Sequence, residues 1–303
     1  MKPTHLIDSL NDAQRAAVSA NASHVMVLAG AGSGKTRVLT HRLAWYVETG
    51  QATPGGILAV TFTNKAANEM RARVEQLLTR STRGMWIGTF HGIANRMLRA
   101  HHREAGLPET FQIMDSDDQV RFLRRLIRDM QLDDSQWSPK EAAWFINARK
   151  EEGQRADHIE TMGDMVSETL VSIFRRYDSA CREAGVVDFA ELLLRSHELL
   201  RERPAMLEHY QTRFRHILVD EFQDTNAIQY AWLRLLAGAA GELFVVGDDD
   251  QSIYSWRGAR VANMLAFERD YPGTEVVRLE QNYRSTRTIL AAANALIANN
   301  TTR

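Results

Sequence analysis

Residues 27–36 read VLAGAGSGKT, an apolar run that breaks into glycines and ends on Lys-Thr. A backbone so bare of side chains suits an anion. Glycines let successive N–H groups converge on a phosphate, and a helix starting near Lys35 and Thr36 turns its positive end to the same point. The spacing follows G-x-x-x-x-G-K-[ST] with one departure, Ala29 in place of the first glycine. That position is expected to bend the chain without touching phosphate, so alanine is tolerated there. Upstream, HVMVLAG (24–30) has strand character, and downstream RVLTHRLAWYV (37–47) has helical character, which are the flanks the motif needs. Ala29, Gly30, Ala31, Gly32, Ser33, Gly34, Lys35 and Thr36 therefore form the candidate phosphate cradle.

Outward from this stretch, strand-like apolar runs recur: GILAVTFT (56–63), MWIGTFH (85–91), HILVDEFQD (216–224), ELFVVGDDDQ (242–251) and TEVVRLEQNYR (274–284). Each ends in polar or turn residues, and helical patterns lie between them. The expectation is an α/β fold, a parallel sheet with its site at the carboxyl ends of the strands. Over residues 92–213 the strand signal disappears. In DQVRFLRRLIRDM (118–130), Val120, Leu123, Ile127 and Met130 make an apolar stripe beneath arginines, read as a solvated face rather than a phosphate contact. The chain thus divides into a discontinuous α/β domain (1–91 and 214–280), an inserted all-helical domain (92–213) and a further stretch, 281–303.

The chain has 303 residues, 25% charged and 44% hydrophobic, which is ordinary globular composition with room for two cores. Met1 to Ser9 lacks the basic-then-apolar order of a signal peptide, and no apolar run approaches the ~18 residues that span a bilayer. The one cysteine, Cys181, cannot form an internal disulfide. A cytoplasmic protein without a membrane partner is expected. Net charge is −1, so nucleic-acid binding must rest on local residues.

Those residues sit at strand ends. HILVDEFQDT delivers Asp220 and Glu221: Asp220 to hold Mg²⁺ opposite the Thr36 hydroxyl, Glu221 to orient and deprotonate an attacking water. Alone, Asp-Glu after a strand would be a cap or a solvated end; the phosphate cradle upstream gives it a partner. After the next strand, Gln251 can bond a γ-phosphate, and Tyr254, Trp256, Arg257 and Arg260 interleave rings and cations as stacking on unpaired bases requires. Phe62, Thr63 and Asn64 repeat the arrangement at another strand end, as do Thr89, Phe90 and His91. Gln14, in LNDAQRAAV (10–18), can pair with an adenine edge, although a surface glutamine is the plainer reading. Near the end, LEQNYRST (279–286) offers Tyr283 and Arg284, the latter as an arginine finger.

In order, LNDAQRAAV, AGAGSGKT, AVTFTNKAANEM, GTFHG, LVDEFQDTN, VVGDDDQSIYSWRGA and LEQNYRST closely resemble the UvrD/Rep/PcrA group of superfamily 1 DNA helicases, through essentially the whole chain including GVVDFAELLL (185–194). The resemblance implies a first RecA-like P-loop NTPase domain (1A) carrying a helical accessory domain (1B), with 281–303 opening a second RecA-like domain. It implies ATP and Mg²⁺ as cofactors, and single-stranded DNA and its junctions with duplex as partners. The resemblance further implies 3′-to-5′ movement in DNA repair, with repair proteins as further partners. Gln14, Arg37 and Tyr283 match adenine-binding positions. Lys35, Thr36, Asp220, Glu221, Gln251 and Arg284 match the hydrolytic site, and Phe62, His91, Phe189, Tyr254 and Trp256 match the DNA track. Ser255 departs from the glycine expected between Tyr254 and Trp256, adding a Cβ to a tight loop. The C-terminal RecA-like half lies beyond this sequence, so residues 1–303 alone are expected to be nearly inactive. Two other readings stay open: a P-loop ATPase that remodels proteins without DNA, and a non-catalytic module binding DNA or a partner.

If Trp256 stacks on bases, Trp256→Ala lowers single-strand affinity while the melting temperature stays near that of the parent. A loss of roughly 3–5 kcal/mol in stability would instead mark a core residue.

Overall fold

Strands made of β-branched and aliphatic residues with no polar alternation must be covered on both faces, and residues 57–61 and 216–219 are buried throughout. The computed structural model describes residues 3–78, 81–161, 163–251 and 262–298. Its strands are β1 (His24–Ala29), β2 (Ile57–Thr61), β3 (Trp86–Thr89), β4 (Gln112–Ile113), β5 (Val186–Val187), β6 (His216–Val219), β7 (Glu242–Gly247) and β8 (Glu275–Leu279). The helices are α1 (Asp12–Ser19), α2 (Lys35–Glu48), α3 (Asn64–Leu77), α4 (Phe90–Ala100), α5 (Ser116–Asp129), α6 (Pro139–Glu151), α7 (Met165–Ala184), α8 (Phe189–Glu202), α9 (Pro204–Arg213), α10 (Ala227–Ala237), α11 (Ala262–Asp270) and α12 (Arg287–Ile297). Among the described residues no helix is long and apolar enough to cross a membrane.

Two compact units result. The first comprises residues 1–89, 208–225 and 236–303; the second, residues 90–207 and 226–235. The first unit is built on a six-stranded, wholly parallel sheet of order β3-β2-β6-β7-β1-β8. Its interior is aliphatic: Val25, Val27, Val38, Leu39, Ile57, Ala59, Leu218, Phe244 and Val246 pack in one buried cluster. Parallel order sends every strand's carboxyl end to one edge, which is where such sheets bind ligands. The ends of β6, β7 and β1 are neighbours there.

The second unit is helical, with Leu123, Leu126, Ile127, Ile146, Ile173, Phe174 and Tyr177 at its centre. The apolar stripe expected on 118–130 is shifted: Gln119 and Leu126 join Leu123 and Ile127 in burial, while Val120 and Met130 are only partly covered. Arg121, Arg124, Arg125 and Arg128 are exposed, as a solvated face requires. Strands also occur where none was expected. β4 and β5 pair in parallel over two residues each, too short to leave a periodic signal.

A closed ionic network holds this unit together. Lys150 on α6 is 1% exposed, with Nζ at 2.7 Å from Asp188, 2.9 Å from Glu191 and 3.3 Å from Asp178. Asp188 also caps α8 through the Glu191 N–H (2.7 Å) and accepts from the Tyr177 hydroxyl (2.9 Å). Arg155 bonds both Glu191 oxygens, at 2.7 and 2.9 Å, and reaches Glu198. Burial alone would strip the Lys150 charge, but three carboxylates raise its pKa. Burial likewise opposes the Glu191 charge, yet Lys150, Arg155 and Arg195 hold it well below the usual carboxylate range. Removing one partner of such a network leaves buried charge uncompensated, so Lys150→Ala is expected to destabilise the protein by ~3–5 kcal/mol in denaturant unfolding. The deficit should shrink on acidification, as the orphaned carboxylates take up protons. A loss below ~1 kcal/mol would show that the network is dispensable.

Candidate functional site

The loop after β1 is shaped from outside. Four consecutive carbonyls each accept a hydrogen bond: Gly30 O from the Ser33 hydroxyl (2.7 Å), Ala31 O from Asn282 Nδ2 (2.5 Å), Gly32 O from the Tyr283 N–H (2.9 Å) and Ser33 O from Gln14 Nε2 (2.9 Å). Across a trans peptide the N–H lies opposite its C=O. Pinning Ala31 O and Ser33 O therefore turns the Gly32 and Gly34 N–H groups to the other side, where an anion would meet them. Gly32 and Gly34 have φ of +73° and +96°, which glycine adopts at no steric cost. A Cβ on Gly32 would lie 2.7 Å from the Arg284 Cβ, and one on Gly34 would lie 2.6 Å from Gln14 Nε2. Ala29 is no bend: it is the last residue of β1, buried and in register with Leu279, and this is why alanine serves. Gly34 is the N-cap of α2, so Lys35 and Thr36 open the helix at the cradle.

β6 brings the carboxylates. Lys35 Nζ lies 3.0 Å from Glu221 Oε2, an ion pair across 186 residues of sequence. Glu221 has φ +49°, a left-handed conformation rare for a residue with a Cβ, and such strain costs on the order of 1–3 kcal/mol. The turn it makes aims its carboxylate at Lys35. Asp220, 5% exposed, has its pKa pushed up to about 6 by burial and by the Glu221 charge. Burial and Glu221 do the same to Asp224, also to about 6, and its Oδ1 is a buried oxygen without a hydrogen-bond partner. Gln223, 1% exposed, donates from Nε2 to Glu221 Oε2 (2.9 Å) and accepts at Oε1 from the Asp248 N–H (3.0 Å). Asp248, at the end of β7, accepts in turn from Gln251 Nε2. Burial raises the Asp248 pKa.

The other residues singled out in the sequence fall into three groups. Gln14 is 1% exposed rather than a surface residue, and its amide is engaged at both ends, by Ser33 O and by the Asn11 N–H of a reciprocal cap on α1. Arg37 reaches Ser9 (2.9 Å), and the Tyr283 hydroxyl accepts from Asn11 (2.7 Å). Arg284 is exposed beside the loop, its N–H held by Asn282. Phe62, Thr63, Asn64 and Thr89 lie at the ends of β2 and β3 in the sheet unit, with Thr63 capping α3. His91 and Phe189 belong to the helical unit, where their rings are 5.1 Å apart. Burial holds the His91 pKa down at about 4, so the ring is neutral, while Phe189 is 58% exposed. Tyr254, Trp256, Arg257 and Arg260, with Ser255, lie outside the described residues.

Sequence reasoning missed Asn11, Gln223, Asp224, Asn282 and Asn263, whose Nδ2 bonds the Thr225 carbonyl (2.9 Å) and hydroxyl (3.0 Å). Gln223, Asp224 and Asn282 stand inside DEFQDT and LEQNYRST, but amides that brace a backbone have no spacing of their own to betray them.

Comparison with known proteins bears on the whole chain. It is 60% identical to DNA helicase II of Escherichia coli over 303 residues, all of this chain and 42% of that protein. DNA helicase II of Haemophilus influenzae is 53% identical, again across all of this chain and 42% of its own length. ATP-dependent DNA helicase PcrA of Bacillus subtilis is 40% identical over 299 residues, 98% of this chain and 40% of the relative. The chain thus spans less than half the length of the curated relatives it matches. Residues 10–272 match the UvrD/REP helicase N-terminal domain, and the chain belongs to that family.

Proposed function

We propose that this chain is the N-terminal part of an ATP-dependent 3′-to-5′ DNA helicase of DNA repair, coupling ATP hydrolysis to movement on single-stranded DNA and at its junctions with duplex. The observation that carries the reading is the loop pinned by its carbonyls beside Lys35, Asp220 and Glu221: an anion cradle, a buried carboxylate and a base candidate at the ends of β1 and β6, the two strands that flank β7. In this reading residues 1–91 and 214–280 are the first motor domain, 92–213 its accessory domain, and 281–303 the start of a second RecA-like half. Gln14, Arg37 and Tyr283 flank the adenine, with Gln14 acting chiefly through its brace on Ser33. Phe62, Thr63, Asn64, Thr89, His91, Phe189, Tyr254, Trp256, Arg257 and Arg260 face the DNA. The family's action on DNA also fits a cytoplasmic protein with repair proteins as partners.

The donor set suits Mg²⁺. Asp220 is a buried hard-oxygen ligand whose charge burial disfavours, and a cation would relieve it; Asp224, three residues beyond Glu221, keeps a buried oxygen without a hydrogen-bond partner. Asp220 would hold it with the Thr36 hydroxyl. When bound, Mg²⁺ neutralises charge on the phosphate oxygens. The protein's own residues do the rest. Phosphate oxygens compete with Glu221 for the Lys35 ammonium, and Gln223 keeps hold of the freed carboxylate. Glu221 then orients the attacking water and takes its proton. Gln251 and Arg284 meet the charge on the transferring group.

In the full-length protein with single-stranded DNA, Lys35→Ala is expected to weaken nucleotide binding. Glu221→Gln, which also frees Lys35, should bind as tightly as the parent or tighter and lose hydrolysis by ~10²-fold or more. Equal loss of binding in both variants would sink this division of roles.

The Asp220 carboxyl also sets a pH signature. Its folded pKa, about 6, is above its ordinary 3.8, so the stability penalty of its charge is absent below about 3.8, grows up to about 6 and is constant above. Asp220→Asn should therefore raise the melting temperature of the nucleotide-free protein near pH 8, by an equivalent of about 2–3 kcal/mol, with the gain fading towards about pH 4. Mg²⁺ with ADP should stabilise the parent and the variant far less. An unchanged or lower melting temperature of Asp220→Asn near pH 8 would refute the buried-charge account.

A further inference from the structure

Gln223 occupies a position that only an amide fills. One neighbour is the Glu221 carboxylate, which when ionised can only accept; the other is the Asp248 N–H, which can only donate. The two partners therefore fix the orientation of the amide, with Nε2 on Glu221 at 2.9 Å and Oε1 on Asp248 N at 3.0 Å. From Asp248 the connection continues through its carboxylate to Gln251 Nε2. A glutamate at 223 would present oxygen to oxygen, and an aliphatic residue would leave the Asp248 N–H orphaned in a buried setting. The same contact explains Gly247. A Cβ there would lie 2.9 Å from Gln223 Oε1, with Met264 Cε at 3.3 Å, so any side chain at 247 would displace the amide.

We infer that Gln223 is a positioning residue that makes the base Glu221 and the γ-phosphate candidate Gln251 one mechanical unit, through the relay Glu221–Gln223–Asp248–Gln251. The inference rests on the ATPase reading above and deepens it. Lys35 and Gln223 share the same oxygen, Glu221 Oε2. Once phosphate claims the ammonium, Gln223 alone of these two restrains the strained Glu221 turn, and a shift of Gln251 on meeting the γ-phosphate is passed back to the base through Asp248. Hydrolysis is thereby tied to correct seating of the third phosphate. The bonds of Gln223 itself go to Glu221 and Asp248 and not to the glycine loop or the adenine flank, so its loss bears on turnover rather than affinity.

The test is steady-state ATPase kinetics of the full-length protein with single-stranded DNA, with thermal melting as a check on folding. Gln223→Met, which keeps the shape and removes both bonds, should lower kcat by about tenfold or more with KM for ATP changed by less than about twofold. Gln223→Glu, which keeps the acceptor and loses the donor, should be no better. Gly247→Ala should reproduce the kcat loss with the Gln223 side chain intact, and it carries the test if Gln223→Met folds poorly. Combined with Gln251→Ala, Gln223→Met should add little to the worse single variant, because a relay is broken once. A kcat for Gln223→Met within about twofold of the parent, or losses that multiply fully in the double variant, would overturn the relay and leave the ATPase reading standing. A parent whose hydrolysis is indifferent to Lys35→Ala would overturn both.

Discussion

The site depends on one constraint: the carbonyls of the glycine loop are held outward. A glycine-rich backbone is entropically free, and freezing each residue costs about 1–2 kcal/mol. Here Gln14 on one side and Asn282 and the Tyr283 backbone on the other supply bonds to Ser33, Ala31 and Gly32 without involving any group that a phosphate would use. The cradle is therefore built before an anion arrives. The bracing segments are far apart in sequence, and they converge because α1 precedes β1 while residues 280–286 follow β8, the strand beside β1 in the sheet. Gly32 and Gly34 answer this convergence as much as any ligand, since a Cβ on either would strike the braces.

The two units handle buried charge in opposite ways. In the helical unit Lys150 and Glu191 keep their charges against burial because groups of opposite sign surround them in a network with Arg155, Arg195, Asp178, Asp188 and Glu198, although at Asp178 burial outweighs its cationic neighbours and raises the pKa. At the sheet edge the balance is left open. Asp220 and Asp224 are pushed towards their neutral forms, Glu221 sits in a strained turn, and Lys35 is the one cation that the ion pairs bring to them among the described residues. An arrangement that would be unfavourable in a core suits the proposed binding of a cation and polyphosphate, which would relieve strain already present.

The elements with strong periodicity were legible. The apolar runs became six parallel strands, and the inserted region became helices with Leu123 and Ile127 at the centre, because both signals are repeated over many residues. The glycine loop opening α2 and the Asp220-Glu221 turn after β6 were legible as strand ends, and the structure brings Lys35 within 3.0 Å of Glu221. What escaped was set by tertiary position. Gln14 reads as a surface residue, yet it is buried as a brace, because nothing in LNDAQRAAV announces that Ser33 lies above it. β4 and β5 are too short for a period, and the Lys150 network joins residues from three helices and a turn whose separations carry no pattern.

Lys35 and Glu221 lie 186 residues apart, and their meeting explains why the helical region must be a fold in its own right. Closing a flexible loop of that length would cost chain entropy that grows as its logarithm, and a loose insertion would also pull on the strands it joins. A self-contained helical unit bears its own ordering through its own core and ion network. β3 and β6 then flank β2 in one sheet, although residues 90–207 intervene between them. The sheet edge where β6, β7 and β1 end side by side is therefore compatible with a long insertion, because that insertion has a core and an ion network of its own.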